Sequence, residues 1–360
     1  MDAEYWLALS HLPGVGRATF LKLIAAYKSP KLAWQHNDSD WRETGIFRRP
    51  VQTESSRSDA LVWAKIQVDQ LAKSPWSLIV FGDSRYPESL TRLRYAPPYF
   101  FLLGAVPDAP AVAVVGARQA TEYGVRATRM IVGQLAAAGI TIVSGFARGI
   151  DTVAHTAALE ANGSTIAIWG AGPDTVYPPE NKKLVEPVIQ RGAVLTEFPF
   201  GTPPDAHNFP IRNRLIAGLS QGVLIVQAGR RSGALLTAQH ALDQGKEVYA
   251  IPSEIGQEQF GGTLELLKQG ARLVTSADDI LSGFRIMRSE TSAAPLPRPL
   301  PPLTEIERQV YDGLGGSACH IDRLAVSLRL SVGECARVLT LLELKGLVKK
   351  SAGNLVSRQS

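Results

Sequence analysis

The stretch AVAVVGARQATEYGVRATRMIVGQLAAAGITIVSG, residues 111–145, determines the fold predicted for this chain. It begins and ends with continuous apolar runs, 111–117 and 140–145, each with a glycine at or next to its end. The segment between the two runs has the length of a helix, with alanine and leucine at helical spacing up to Gly139. Continuous apolar strands on either side of a helix are typical of a parallel sheet that is buried on both faces.

The same alternation extends over residues 76–285. Further apolar runs, separated by segments of helical length, occupy 165–170, 193–198, 222–228, 247–252 and 271–276. The repeated pattern predicts a doubly wound, Rossmann-like α/β domain with a parallel sheet. In such sheets ligands bind beyond the carboxyl ends of the strands, so we expect the functional groups there.

Residues 1–75 predict an N-terminal helical domain. Within it, LSHLPGVGRATFLKLI (9–24) places two short apolar helices around a Pro-Gly-Val-Gly turn. This resembles a helix-hairpin-helix motif, whose turn offers backbone N–H groups to a phosphate. A tight joint that only packs the two helices together is the alternative interpretation.

The C-terminal part of the chain predicts a separate module. Residues 286–302 are rich in proline, serine and alanine and indicate a linker. Residues 303–360 contain three amphipathic helical segments, followed by SAGNLVS (351–357), which is short enough to form a wing. That order predicts a winged helix, which binds either DNA or another protein.

Composition sets wider limits on the function. The 360 residues include 38 basic and 33 acidic side chains, and the net charge of +5 permits a nucleic-acid partner without requiring one. The two cysteines, Cys319 and Cys335, form no CxxC pair, and we expect neither a disulfide nor a metal site. The first residues lack the basic region of a signal peptide, and the longest uncharged run, 130–147, is divided by Gly139. We therefore expect no membrane span and a cytoplasmic protein.

Polar and charged groups collect where the predicted strands end. They are Gly116, Arg118, Ser144, Gly145, Arg148, Lys182 and Lys183, together with His207, Arg212, Asn213 and Arg214 in the segment HNFPIRNR. The macrodipole disfavours arginines where a helix begins, so folding alone gives little reason for the last segment. Arginines, lysines and glycine N–H groups at one rim of a sheet predict a ligand with several phosphates.

Catalytic and cofactor motifs are lacking in the sequence. Neither the G-x-G-x-x-G fingerprint of a dinucleotide site nor the G-x-x-x-x-G-K-[ST] loop of an ATPase occurs, so we predict no cofactor. Asp151 and His155 lie four residues apart on a predicted helix, and we interpret them as a helix cap and packing pair rather than an acid–base pair. We interpret Glu197, which ends a strand, as a backbone cap. No catalytic residue is predicted.

Five segments in register resemble the DNA-processing protein A (DprA, also called Smf) family of bacteria. They are SGFARGID (144–151), VYPPEN (176–181), TEFP (196–199), FPIRNRLIAGLS (209–220) and SGALLTAQHALDQGKEVYAIP (232–252). The resemblance implies a non-enzymatic protein of natural transformation that binds single-stranded DNA, protects it, loads the RecA recombinase and forms a homodimer. It also implies that the N-terminal domain is SAM-like and that the C-terminal domain is a winged helix.

The resemblance further implies which residues contact DNA. They lie in the turn 116–118, in the loop from Tyr177 to Lys182 and in the segment from Phe209 to Arg214. Tyr177 and Phe209 are suited to stacking on unpaired bases, although either ring could belong to the core instead. The chain departs from the family pattern at Ala117, Gln227 and Ser253, where serine, glutamate and glycine are usual.

Two other functions remain open at the level of sequence. The segment GGTLELL (261–267) is faintly similar to the phosphate loop of nucleotide phosphoribohydrolases, which would make the chain a nucleotide-processing enzyme on the same fold. The winged helix would instead suit a regulator that binds duplex DNA, with the Rossmann-like domain sensing a ligand. Turnover of a nucleoside monophosphate favours the first alternative, and preference for a specific duplex favours the second.

Overall fold

A computed structural model gives the structure of the protein. It describes residues 2–47, 54–253, 256–289, 303–314, 319–328, 330–345, 347–351 and 355–358. The chain divides into two compact units, residues 1–290 and residues 291–360. No helix in the part of the chain that the structure describes combines the length and the apolar character needed to cross a membrane.

The described part of the N-terminal region contains five helices: α1 (Ala3–His11), α2 (Arg17–Tyr27), α3 (Pro30–Gln35), α4 (Asp38–Glu43) and α5 (Glu54–Ala72). Local sequence explains their ends, since Ser29 caps α3 through the backbone N–H of Leu32 and Asn37 forms a capping box with Asp40 at the start of α4. The side chain of Gln67 exchanges two hydrogen bonds with the backbone of Phe200. The N-terminal helices and the sheet therefore pack into one core.

A nine-stranded sheet forms the centre of the first unit. Its strands are β1 (Ser77–Val80), β2 (Tyr99–Gly104), β3 (Ala111–Val115), β4 (Thr141–Ser144), β5 (Thr165–Ile168), β6 (Ala193–Thr196), β7 (Gly222–Ile225), β8 (Glu247–Ala250) and β9 (Arg272–Leu273). Their order across the sheet is β1-β2-β6-β5-β4-β3-β7-β8-β9. In this order, every pair of neighbouring strands from β6 through β3 to β9 is parallel. All seven predicted apolar runs are confirmed as strands. The antiparallel edge formed by β1 and β2 was not predicted.

Helices cover both faces of this sheet, which confirms the doubly wound architecture. They are α6 (Glu88–Thr91), α7 (Glu122–Ala137), α8 (Ile150–Glu160), α9 (Val185–Arg191), α10 (Asn208–Gly218), α11 (Ala234–Asp243), α12 (Gly261–Lys268) and α13 (Asp278–Ser289), with 3-10 turns at Pro179–Leu184 and Glu258–Phe260. Alternate residues of β3 face opposite layers: Val114 packs with α7 and α8, and Val115 with α10 and α11. Because α13 runs to Ser289, the first residues of the predicted linker are helical, and residues 290–302 lie outside the described residues.

The strand order fixes where a ligand can enter. From β3 the chain builds one side of the sheet through β4, β5 and β6, and then crosses to β7, β8 and β9 on the other side. Neighbouring strands whose following connections diverge leave a crevice at their carboxyl ends. The crevice between β3 and β7 is therefore the expected ligand site.

The C-terminal unit confirms the predicted winged helix. It contains α14 (Glu305–Gly313), α15 (Ile321–Ser327) and α16 (Val332–Leu344), with the strands β10 (Cys319–His320), β11 (Val348–Ser351) and β12 (Leu355–Arg358) in the order β10-β12-β11. Capping boxes at Thr304 and Ser331 begin α14 and α16. The antiparallel pair β11 and β12 forms the predicted wing, whose turn, 352–354, lies outside the described residues.

Candidate nucleic-acid interface

Four side chains at the carboxyl ends of the strands form a row in which two neighbouring rings lie between two arginines. The guanidinium of Arg118 lies 4.9 Å from the ring centroid of Phe209, and the Phe209 ring lies 5.8 Å from the ring of Tyr177. Arg148 follows, 5.9 Å from the Tyr177 ring. We call these four residues the cation–aromatic ladder. Both arginines are exposed, and both rings are half-buried.

Each rung of the ladder comes from a different segment. Arg118 follows β3, Arg148 follows β4, Tyr177 follows β5, and Phe209 lies in the first turn of α10. Loops that leave parallel strands at the same edge are brought together only by the sheet. The fold therefore brings these four residues side by side.

Two glycines allow the close approach that the ladder needs. A Cβ at Gly116 would lie 2.6 Å from Cγ1 of Ile150, so only glycine lets the turn after β3 pack on α8. A Cβ at Gly170 would lie 2.8 Å from the Phe209 ring, which therefore rests directly on backbone. The Phe209 ring is therefore supported by the backbone at Gly170, and one face of the ring stays available to Arg118.

The loop that carries Tyr177 is anchored from inside. Asn181 is buried, and its Nδ2 donates to the carbonyl of Phe146 at 2.9 Å and to Oγ1 of Thr152 at 2.8 Å. These bonds fix the 3-10 turn whose exposed face carries Lys182 and Lys183. The predicted lysines are thus held at the rim of the site on an anchored turn.

An ion pair links two loops across the rim. Nε of Arg148 donates to Oε1 of Glu180 at 2.7 Å, and both side chains are more than half exposed. The ion pair raises the pKa of Arg148 and lowers the pKa of Glu180. A phosphate that binds Arg148 therefore competes with a carboxylate of the protein itself.

Arg212, one of the two predicted arginines in the segment HNFPIRNR, is not at the surface. The structure starts α10 at Asn208, so Arg212 lies in the second turn with 3% of its surface exposed. Its Nη1 donates to the carbonyls of Gly145, at 2.6 Å, and Ile168. Burial lowers the pKa of Arg212 to about 10, opposed by the charge of Asp151. The guanidinium ties the ends of β4 and β5 together.

Asp151 is the buried carboxylate that accompanies Arg212. Its Oδ2 accepts hydrogen bonds from the backbone N–H groups of Gly145, at 3.1 Å, and Ala147, at 3.3 Å. Burial raises the pKa of Asp151 to about 6, although Arg212 opposes this rise. A Cβ at Gly145 would lie 2.6 Å from Asp151 and 2.7 Å from Arg212, so glycine is needed between the two charges. The predicted packing role of Asp151 fits this geometry.

Two more predicted site residues, Ser144 and Asn213, lie inside the protein, as does His155 of the predicted packing pair. Ser144 is fully buried and donates through Oγ to the carbonyl of Val114 at 2.7 Å. Asn213 is buried and donates to the carbonyl of Gly233. His155 is fully buried, and its Nδ1 hydrogen-bonds Oγ1 of Thr165 at 2.7 Å. Burial lowers the pKa of His155 to about 3, so the imidazole is neutral in the folded protein.

Glu197 has a different partner from the one the sequence suggested. We interpreted it as a backbone cap, but its carboxylate accepts hydrogen bonds from Arg17 at 3.0 Å and from Arg214. Arg214 also donates to the carbonyl of Tyr95 at 2.7 Å. Glu197 pairs with arginines because a buried carboxylate needs charge compensation. Arg17 and Arg214, which belong to other segments of the chain, supply it.

Two further positions singled out from the sequence, His207 and Gln227, lie before α10 and after β7. His207 is almost fully exposed just before α10 and pairs with Asp205 at 2.9 Å. Gln227, where the family has glutamate, is buried and accepts hydrogen bonds from the backbone N–H and hydroxyl of Thr121. Gln227 therefore supports Thr121, the residue that caps α7. A cavity of about 200 Å³ between Arg118, Phe209 and α11 marks the crevice beside β3.

Comparison with known proteins identifies the family. The family model described as DNA recombination-mediator protein A matches residues 77–285. The chain belongs to this family. A second model, the DprA winged helix domain, matches residues 294–354 and agrees with the fold of the C-terminal unit.

Relatives of known sequence or structure support the assignment to the DprA family. The chain is 30% identical to Protein Smf of a Synechocystis species, with 99% of each chain covered. It is similar to the X-ray structure of DNA processing protein A from Streptococcus pneumoniae, with 32% identity, a TM-score of 0.67, and 78% of this chain and 98% of that one covered. A structure from Helicobacter pylori, whose description names a single-stranded DNA binding mode of DNA processing protein A, is 29% identical at a TM-score of 0.53, over 59% of this chain and 96% of that one.

Sequence reasoning missed several residues that shape this DprA-family site. Asn181 and Glu180 were quoted as parts of the loop motif, but neither was given a role. Arg17 lies in the helix-hairpin-helix-like segment 9–24 and was given no role of its own, although it reaches Glu197, 180 residues away. A buried anchor beside an exposed lysine leaves no distinctive local pattern, so only the folded chain reveals these partners.

Proposed function

We propose that the chain binds single-stranded DNA along the rim formed by the carboxyl ends of its parallel strands. We further propose that it acts in the cytoplasm in natural transformation, as a non-enzymatic homodimer that protects incoming DNA and loads the RecA recombinase. The cation–aromatic ladder is the observation that carries the DNA-binding proposal. Two neighbouring aromatic rings lie between two exposed arginines, four side chains come from four segments of the chain, and neighbouring groups are 4.9–5.9 Å apart.

The ladder suits a single strand for a physical reason. Every unpaired base has a face that stacks on an aromatic ring, so stacking tolerates any sequence and contributes about 1–3 kcal/mol per base. Exposed arginines bind phosphate oxygens through pairs of N–H groups, and Lys182 and Lys183 add charge at the same rim. A duplex hides its base faces and offers only phosphates to such a surface.

The predicted residues fall into an exposed group and a buried group. Arg118, Arg148, Lys182, Tyr177 and Phe209 would contact the strand, with His207 beside them. The buried group would position these residues and touch no DNA through its side chains: Ser144, Arg212 and Asn213, with Gly116 and Gly145 allowing close approach. Arg214, which is paired with Glu197, belongs with the positioning group.

Two features support the absence of catalysis in this proposal. The segment resembling a phosphate loop begins α12, where the backbone N–H groups of Gly262 and Thr263 donate to the carbonyl of Ala228. A Cβ at Gly262 would lie 2.6 Å from the carbonyl oxygen of Gly229, so this glycine serves close packing. Asp151 and His155, the only acid–base pair weighed from sequence, are both buried.

The winged helix is assigned no primary role in binding the strand. In its helix-turn-helix, formed by α15 and α16, the second helix is α16. The exposed Arg337 on this helix lies between two exposed acidic residues, Glu334 and Glu343. Helices that enter a DNA groove usually carry a net positive face. We therefore expect residues 303–360 to contribute little to single-strand affinity.

Fluorescence anisotropy over a salt series tests the proposal. The ligands are an oligothymidine, a mixed-sequence strand and the corresponding duplex. The parent should prefer both single strands over the duplex, and Arg118→Ala should weaken binding to both strands by about tenfold. Since each phosphate contact contributes about 0.7 to the slope of log affinity against log salt, Arg118→Ala should flatten that slope by about this amount.

Two controls make the result decisive. Arg129→Ala removes an exposed, ion-paired arginine on α7 and should leave binding unchanged. Deletion of residues 303–360 should retain most of the single-strand affinity. Binding that survives Arg118→Ala but disappears with the deletion, or that favours the duplex, would show that the winged helix is the DNA site.

A further inference from the structure

A second cavity lies next to the proposed strand-binding rim. It has a volume of about 310 Å³ and lies between the turn that precedes α2 and the first turns of α10. Its lining includes Arg17, Thr19, Tyr95, Pro210, Arg214 and His240. Pro210 also lines the cavity beside the ladder, so the two cavities are neighbours across the start of α10.

Among the described residues, one carboxylate pairs with two arginines at this second cavity. Arg17 and Arg214 share a single carboxylate, that of Glu197, which is 5% exposed. Two guanidinium groups and one carboxylate leave a surplus of one positive charge. Arg17 is the more accessible of the two, with 35% of its side chain exposed against 11% for Arg214.

Arg17 has hydrogen-bonding capacity to spare. A guanidinium carries five N–H groups, and Arg17 directs Nε and Nη2 at Glu197. Within the described residues no other hydrogen bond of its side chain is found. A ligand oxygen at the mouth of the cavity can therefore bind Arg17 without breaking its pair with Glu197.

An exposed ring lies at the same cavity. Tyr95 is 46% exposed, which is unusual for a large aromatic side chain, and the guanidinium of Arg94 lies 5.2 Å from its ring centroid. The backbone carbonyl of Tyr95 accepts a hydrogen bond from Arg214, which fixes the position of the residue. The cavity thus repeats the chemistry of the ladder: an accessible ring, a guanidinium beside it and a second cation within reach.

We propose that this cavity is a second subsite for the same single strand, in which Arg17 binds a backbone phosphate and Tyr95 stacks on a base. The inference rests on the proposed function and extends it. A strand that leaves the ladder at Phe209 crosses Pro210 and enters the second subsite. The N-terminal helical region, through Arg17, then becomes part of the DNA path.

A length series of oligothymidines tests the second subsite. Strands from about 5 to about 30 nucleotides are suitable, because single-strand sites on one module cover about 4–16 nucleotides. Arg17→Gln should leave the affinity for the shortest strands unchanged and lower it about three- to tenfold for the longest. The salt slope on long strands should fall by about 0.7 for the one phosphate lost.

Tyr95 variants supply a matched pair. Tyr95→Ala should lower the affinity for long strands about as much as Arg17→Gln does, whereas Tyr95→Phe keeps the ring and should bind like the parent. Equal losses from both variants would overturn the stacking role. Because the ring is exposed, neither variant should change the unfolding midpoint, and Tyr95→Ala keeps the test valid even if Arg17→Gln destabilises the protein.

Comparison with Arg118→Ala separates this inference from the proposed function. Arg118→Ala should weaken binding at every strand length, and Arg129→Gln at none. If Arg17→Gln and Tyr95→Ala bind all lengths like the parent while Arg118→Ala binds weakly, the second subsite is refuted and the ladder stands. If Arg118→Ala also binds like the parent, the proposed function itself fails.

Discussion

The exposed ladder and the buried layer beneath it contain the same kinds of residue in opposite settings. Phe209 and Arg212 lie within one turn of α10, yet Phe209 faces the rim while Arg212 is enclosed by Gly145, Ile168 and Asp151. Arg118 has no such enclosure and lies over the Phe209 ring. The comparison teaches that a cluster of arginines does not by itself locate a ligand, because part of its charge can serve the protein.

The two layers depend on each other. The buried layer holds the ends of β4 and β5 and the turn between Gly145 and Ala147, which leads to Arg148. Loops that carry binding residues need such support, because ordering them at the moment of binding would cost conformational entropy. We expect changes in the buried layer to act on stability and changes in the ladder to act on affinity.

The largest effect should come from Arg212. Arg212→Ala leaves the buried Asp151 without its cation and two carbonyls without a donor, so it should lower the free energy of unfolding by about 3–5 kcal/mol. Arg118→Ala should leave that free energy unchanged. Urea unfolding followed by tryptophan fluorescence measures both values.

A double variant tests whether charge compensation is the cause. Asp151→Asn combined with Arg212→Met removes both buried charges and should recover part of the stability lost in Arg212→Ala. A parent-like stability of Arg212→Ala would erase the distinction between the two layers.

An intermediate effect should appear in the pH dependence of stability, through His155. Its pKa is about 3 in the folded protein against 6.5 in the unfolded chain, so between these values the unfolded state binds the extra proton and stability falls as the pH falls. The titration of His155 taken alone should cost roughly 2 kcal/mol at pH 5 relative to pH 7.5, and Asp151, whose raised pKa acts in the opposite direction, offsets part of this loss in the parent.

His155→Gln isolates that contribution. The variant loses packing at every pH but lacks the titrating group, so its stability deficit against the parent should shrink from pH 7.5 to pH 5. Asp151 titrates in both proteins and cancels in the difference. A deficit that stays constant over this range, measured by urea unfolding, would contradict a buried neutral imidazole.

The smallest effect should come from the rim, at Glu180. Glu180→Gln releases Arg148 from its ion pair and removes a negative charge next to the strand, so single-strand affinity should rise about two- to threefold. Anisotropy at low salt measures the gain, and stability should not change. Glu122→Gln, which breaks an exposed pair with Arg126 on α7, is the matched control. A loss of affinity in Glu180→Gln would mean that the ion pair organises the ladder instead of competing with DNA.

Local sequence was sufficient to predict the seven strands of the parallel part of the sheet and the doubly wound class of the fold. Each apolar run contributed a strand because its side chains are buried on both faces, a requirement visible in the run itself. The antiparallel strand β2 was not predicted because its sequence, YFFLLG, follows a loop with prolines. Although the segment is apolar, it lacks the strand–helix alternation of the parallel strands. The start of α10 was predicted too late in the chain because Phe209 and Pro210 suggested a loop. Proline is, however, tolerated in the first turn of a helix.

Periodicity and the ends of strands were enough to predict the doubly wound α/β fold, the winged helix and the rim at which the candidate binding residues collect. Which arginines are available to a ligand, in contrast, depends on contacts that form when the chain folds. Arg212 and Arg214 differ from Arg118 not in type but in having Asp151 and Glu197 nearby. Burial and charge pairing are set by segments far apart in the chain, as the contact between Arg17 and Glu197 shows, so no local pattern can encode them.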